Sequence, residues 1–126
     1  MKPCIVFIHR GHASYLPFSL SQAKRSNPDH SIYLIGDRDN RVGRLFVPHY
    51  FYSGYFAGAR EFAHQYKHWS TTGYEYELFC FQRWFILREF LTRHELGPCL
   101  YLDSDVLLYS TLDEQIRIFK DYDITL

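Results

Sequence analysis

Short apolar runs alternate with stretches of helical periodicity along most of the chain. Cys4 to His9 is a β-branched apolar run that ends in charge, the pattern of a buried strand. A turn, Arg10-Gly11-His12-Ala13, follows it. Ser14 then stands where an N-cap is expected, Pro17 falls in the first turn, and Leu16, Leu20 and Ala23 recur at helical spacing until Asn27-Pro28 stops the element. Ser31 to Ile35 predicts a second strand closed by Gly36-Asp37, and Leu45 to Val47 a short third one before Pro48. Strand, helix and strand in that length make a βαβ unit, with its strands parallel and its crossover right-handed.

The middle of the chain is aromatic. Tyr50 to Gly58 shows no clean period and predicts a loop packed by its own rings, while Ala59, Phe62, Ala63 and Tyr66 predict a short amphipathic helix ending near Ser70 to Gly73. Tyr74 to about Leu96, free of Gly and Pro, predicts the longest helix. At about 100° per residue with Leu78 as zero, Phe79, Cys80, Ile86, Leu87, Phe90 and Leu91 fall between about 80° and 220°. Gln82, Arg88, Glu89, Thr92 and Arg93 fall opposite, between about 280° and 60°. Arg83 breaks the sorting. It sits near 140°, inside the apolar arc, so its guanidinium either snorkels past Leu87 to water or meets a carboxylate or phosphate.

The last third carries the chemistry. Cys99 to Leu102 predicts a strand whose carboxyl end runs into Asp103 and Asp105. Ser110 or Thr111 then caps a helix with Asp113 and Glu114 in its first turn and Leu112, Ile116 and Phe119 as its stripe. Another apolar run begins at 121, so the expectation is a domain cut short or a final edge strand.

Alternating elements of this kind predict an α/β fold: a three-layer, open, mostly parallel sheet with Rossmann-like βαβ units, in one domain over 1–126. Such sheets bind ligands outside the carboxyl ends of their strands, where the strand order reverses. The simplest order sets the second and third strands on one side of the first and the Cys99 strand on the other. The mouth is then lined by His9 to His12, Asp37 to Asp39 and Asp103 to Asp105. Two aspartates one residue apart at a strand end repel each other unless a cation sits between them, and oxygen ligands favour Mg²⁺ or Mn²⁺. The bland alternatives are a capping pair for Asp103 and Asp105, a polar turn for Asp37 and Asp39, a surface turn for His9, Arg10 and His12, and core positions for Trp84 and Tyr101.

Charge narrows the choice of partners. Fourteen basic residues balance 14 acidic ones and are scattered, which argues against nucleic acid as the partner. Three cysteines, Cys4, Cys80 and Cys99, lie in apolar runs and fit buried thiols of a reducing compartment better than a disulfide framework. The first apolar run is too short for a signal peptide or a membrane span, so a cytoplasmic location without a span is expected. His64 and His68 share the zinc-binding spacing, but with no Glu beside the first and no third ligand a solvated face explains them better.

Tyr-Leu-Asp-Ser-Asp-Val at 101–106, preceded by a long helix carrying Gln82-Arg83-Trp84 and opened by Cys4 to His9, resembles the nucleotide-sugar-binding half of a GT-A glycosyltransferase with its D-x-D motif. The resemblance implies a GT-A-like domain that binds a nucleoside-diphosphate sugar, a UDP- or GDP-sugar, through Mn²⁺ or Mg²⁺. It implies Asp105 as metal ligand and Asp103 on the ribose or the metal shell. It further implies His9, Arg10 and Asp37 around base and ribose, and Arg83 facing the donor. The family takes its further metal ligand, acceptor pocket and any catalytic base from sequence well beyond the motif, whereas 21 residues follow Asp105 here. The expectation is therefore a truncated donor-binding half of such an enzyme, with a nucleotide-sugar-binding remnant that does not turn over as the alternative. A haloacid-dehalogenase-type phosphatase also places two aspartates at a strand end. Its pattern follows the domain's first strand and has Thr or Val where Leu107 stands, so it fits less well.

Overall fold

The structure, a computed structural model, describes residues 2–125. The first apolar run forms the strand β1 (Cys4–Ile8), buried at every position, and the reason is its place in the sheet. It pairs in parallel with β2 (Ser31–Gly36) on one edge and β4 (Cys99–Leu102) on the other, with Val6 opposite Tyr33 and Tyr101. The strand β3 (His49–Phe51) adds outside β2, also parallel, so the described residues form one open four-stranded sheet in the order β3-β2-β1-β4. A strand with neighbours on both edges and helices on both faces must be apolar throughout.

Alternation along β1 divides the core in two. Ile5 and Phe7 point to one face, where they meet Leu16, Leu20 and Ala23 of α1 (Leu16–Ser26) and Leu112 of α4 (Leu112–Phe119). Cys4, Val6 and Ile8 point to the other, toward Ala59 of α2 (Ala57–Gln65) and Ile86 and Phe90 of α3 (Tyr74–Arg93). Three layers result, helices on both faces of a parallel sheet, as the α/β pattern predicts. No helix among the described residues is long and apolar enough to cross a membrane.

Several local expectations shift. Tyr15 rather than Ser14 occupies the N-cap of α1, without a side-chain cap, and Pro17 sits just inside the helix. Asn27 ends α1 and then serves α4: its side chain accepts from the Leu112 N–H at 2.6 Å and donates to the Ser110 carbonyl at 3.1 Å. Thr111 caps α4 by accepting from Glu114 N.

The third strand lies four residues later than Leu45 to Val47. Leu45 is 75% exposed at the end of a 3₁₀ segment, Arg38–Leu45, and only Val47 of that triplet is buried. The ladder starts where the Pro48 carbonyl accepts from Leu34 N. Tyr50 to Gly58 is thus not a loop; it finishes β3, turns through a 3₁₀ segment at Tyr52–Tyr55 and opens α2. Its rings do pack on one another, Tyr50 on Tyr55 and Tyr52 on Phe56, but equally on Phe79 and Phe90 of α3.

The helix α2 ends at Gln65, well before Ser70, so His64 and His68 do not share a helical face. His68 instead meets the Tyr66 hydroxyl, which donates to Glu77. In α3 the buried line is Leu78, Gln82, Ile86 and Phe90, a stripe at steps of four. Gln82 belongs inside because its amide donates to the Ala59 carbonyl at 2.9 Å. Residues 121–125 form no strand.

Candidate functional site

The strand order reverses between β1 and β4, and the crevice outside the carboxyl ends at such a reversal is where a sheet of this kind binds ligands. His9 follows β1 there, its N–H donating to the Ile35 carbonyl. Gly11 has φ +87, a left-handed conformation costly to a side-chain-bearing residue, and this lets its N–H donate to Asp37 Oδ2 at 2.7 Å. Asp37 Oδ1 accepts from Asp39 N at 2.9 Å, capping the 3₁₀ segment.

Asn40 ties these loops into one body. It is buried; its Nδ2 donates to the carbonyls of His9 (2.8 Å) and Gly11 (3.1 Å), and its Oδ1 accepts from Asp37 N (3.0 Å) and faces His49 Nε2 (2.9 Å). The opening of Gly36 is part of the fit, since a Cβ there would collide with the Asn40 amide.

Across the crevice, the Asp103 carbonyl accepts from Val106 N at 3.1 Å, which makes 103–106 a turn with Ser104 and Asp105 at its centre. Ser104 is buried and its Oγ lies 2.6 Å from His9 Nδ1, while Asp103 and Asp105 are exposed on either side of it. Arg83 reaches the turn from α3. Its Nη1 donates to Asp103 Oδ1 at 2.8 Å and to the Tyr101 hydroxyl at 3.2 Å, and its guanidinium lies against the rings of Trp84 and Tyr101. Its Nε is buried with no acceptor.

Charges at the mouth follow from these contacts. Burial lowers the pKa of His9, outweighing the opposing pull of Asp37 and Asp105. Burial pushes the Tyr101 hydroxyl up to about 12, which keeps it a neutral partner for Arg83 and Asp103. For Arg83 burial opposes the charge, but Tyr101 and Asp103 prevail and its pKa is raised.

His9, Asp37, Asp103, Asp105 and Arg83 thus stand around one crevice. Arg10 does not join them: it stacks on Phe79 at 4.6 Å and donates to the Glu75 carbonyl, pinning the loop after β1 to the start of α3. Four further residues shape the site, Ser104, Asn40, His49 and Tyr101. Ser104 stands at the centre of the acidic motif and Asn40 three residues after Asp37; nothing in the pattern marks His49. Two surface depressions lie elsewhere, one of about 310 Å³ between α2 and α3 and one of about 290 Å³ around Lys24 and Pro48.

A divalent cation can be tested against these side chains. Among the described residues no group of three or more His, Cys, Asp or Glu is placed to hold one. One oxygen of Asp103 is taken by Arg83, and the bonds that hold Asp37 and Asp103 have no counterpart at Asp105 among the described residues. Asp105 and the second oxygen of Asp103 carry no such bond among the described residues, and two carboxylates alone would leave most of a divalent cation's ligands to phosphate and water. Comparison of the chain with protein-family models, curated proteins and solved structures gives no match.

Proposed function

We propose that this chain is a donor-binding domain of the GT-A glycosyltransferase type, taking a nucleoside-diphosphate sugar at the β1–β4 crevice. The observation that carries the proposal is the turn Asp103-Ser104-Asp105, set at the carboxyl end of a half-buried parallel edge strand beside His9, with Arg83 bonded to its first carboxylate. A capping pair needs none of these partners.

In this reading Asp105 and the free oxygen of Asp103 hold Mn²⁺ or Mg²⁺, and Asp37, fixed by the N–H groups of Gly11 and Asp39, accepts from the ribose hydroxyls. The bound cation would neutralise diphosphate charge as the sugar leaves. Arg83 holds Asp103 in place and turns its remaining N–H groups to the same anion. His9, kept neutral by its burial, adds no like charge beside the cation.

Titration calorimetry with UDP, UDP-sugars and GDP-sugars, with and without Mn²⁺, tests the proposal. Mn²⁺-dependent heat that Asp105→Asn abolishes is the expected result. Absence of metal-dependent binding at millimolar ligand overturns it, and binding without transfer to any acceptor leaves a binding module rather than an enzyme.

A further inference from the structure

The two carboxylates of the acidic turn are exposed while the serine between them is buried against the histidine that follows β1. Neighbouring side chains in such a turn cannot all face one way, so fixing the central one inward decides where its neighbours go. His9 is itself fixed: its N–H is bonded to Ile35 in β2 and its carbonyl to Asn40. The turn 103–106 therefore takes its orientation from β1 and β2, not only from β4 that leads into it.

We infer that Ser104 and His9 are positioning residues for the site proposed above, and the inference rests on that reading. Their bond holds the turn in the rotation that presents Asp103 and Asp105 to solvent together, as a ready pair for a divalent cation and the diphosphate it carries. Without the bond the turn can roll about its Asp103-to-Val106 closure, and the two carboxylates no longer keep these exposed positions. Arg83 restrains Asp103 alone, so the placement of Asp105 depends on Ser104.

The test uses the full chain and Mn²⁺ alone, read by the electron-spin resonance of the free ion, so that contacts of His9 to a donor do not enter. Imidazole ¹⁵N shifts of His9 report its Nδ1 bond independently of metal. Ser104→Ala and His9→Phe are expected to weaken Mn²⁺ binding about tenfold, the scale of losing a group that orients a metal ligand. His9→Asn, whose amide stands where Nδ1 does, is expected to retain it. Asp105→Asn should lose Mn²⁺ while keeping the His9 shifts. Wild-type binding that Ser104→Ala leaves unchanged, although the Nδ1 signature is gone, overturns this inference and leaves the metal site standing. A wild-type chain that binds no Mn²⁺, alone or with UDP present, overturns the site and the inference together.

Discussion

The guanidinium of Arg83 bonds Asp103 Oδ1 at 2.8 Å, joining the middle of α3 to the end of β4, yet the same side chain keeps Nε buried without an acceptor. The pair is thus a compromise between a charge contact and an unmet donor. Asp103 keeps 57% of its side-chain surface exposed, so water screens the attraction. A double-mutant cycle of Arg83→Met and Asp103→Asn should give a coupling of about 0.2–1 kcal/mol in urea unfolding. Arg83→Met alone should change stability by less than about 1 kcal/mol, because the methionine stem still covers Trp84 and Tyr101 and the orphaned donor is gone. Donor binding, if the site works as proposed, should fall in the same variant. A coupling above 2 kcal/mol would mean a far less screened pair than this geometry shows.

Asn40 is the opposite case, a buried group with every polar atom used. Asn40→Ala strips partners from the carbonyls of His9 and Gly11, from Asp37 N and from His49 at once. Water can replace some of them, so the expected cost is about 2–4 kcal/mol rather than the sum of four bonds. Asn40→Asp should be no better, since it sets a carboxylate oxygen against two carbonyls. Urea unfolding measures the loss, and hydrogen exchange should quicken at Gly11 and Asp37 amides before it does in β1.

How far the chain could be read without coordinates follows from which forces leave a pattern. Parallel strands covered by helices are unbroken apolar runs, so β1, β2 and the half-buried edge strand β4, and their order, were legible. Arg83 stood out as a misfit, and of the two outcomes open to it the structure shows the carboxylate. The wheel went wrong about direction because α3 is apolar nearly all round, with Phe81 and Trp84 exposed and Gln82 buried; an average over such a helix points nowhere in particular. Leu45 to Val47 mimicked a strand although only Val47 enters the core. The bonds of Ser104 to His9 and of Asn40 to two loops join residues 95 and 31 apart, and no local period encodes them.

Acid should loosen the loop body through His49. Burial, first of all, holds its pKa below the ordinary 6.5, with Arg41 and Arg44 acting the same way and Asp37 against them. In the unfolded chain His49 takes its proton at a higher pH than in the folded one. The unfolded state therefore binds more protons as pH falls through 6.5, so this contribution to stability is complete above that value and is lost below it. His9 is shifted in the same sense and adds to the trend. Urea midpoints taken between about pH 8 and pH 5 should decline on the acid side. His49→Gln, which keeps a donor for Asn40 but cannot charge, should flatten part of the decline. A midpoint that rises on acidification would contradict the burial of both rings.

The stripe of α3 makes the last prediction, because the helix wheel and the structure disagree about which leucine matters. The wheel sets Leu91 at the edge of its apolar arc and leaves Leu78 on the polar side. In the fold Leu78 is 6% exposed beside Gln82, Ile86 and Phe90, and Leu91 is only partly buried. Truncation removes contacts in proportion to how closely the site is packed, so Leu78→Ala should cost about 2–4 kcal/mol and Leu91→Ala distinctly less. Phe90→Ala should exceed both, at about 3–5 kcal/mol, since its ring touches those of Tyr33, Tyr50, Tyr55 and His94 with centroids 4.5–5.3 Å away. Phe81→Ala, on the exposed side, should stay within about 1 kcal/mol. Chemical unfolding of the four variants ranks them, and Leu91→Ala proving costlier than Leu78→Ala would mean that α3 is rotated on the sheet by most of a quarter turn.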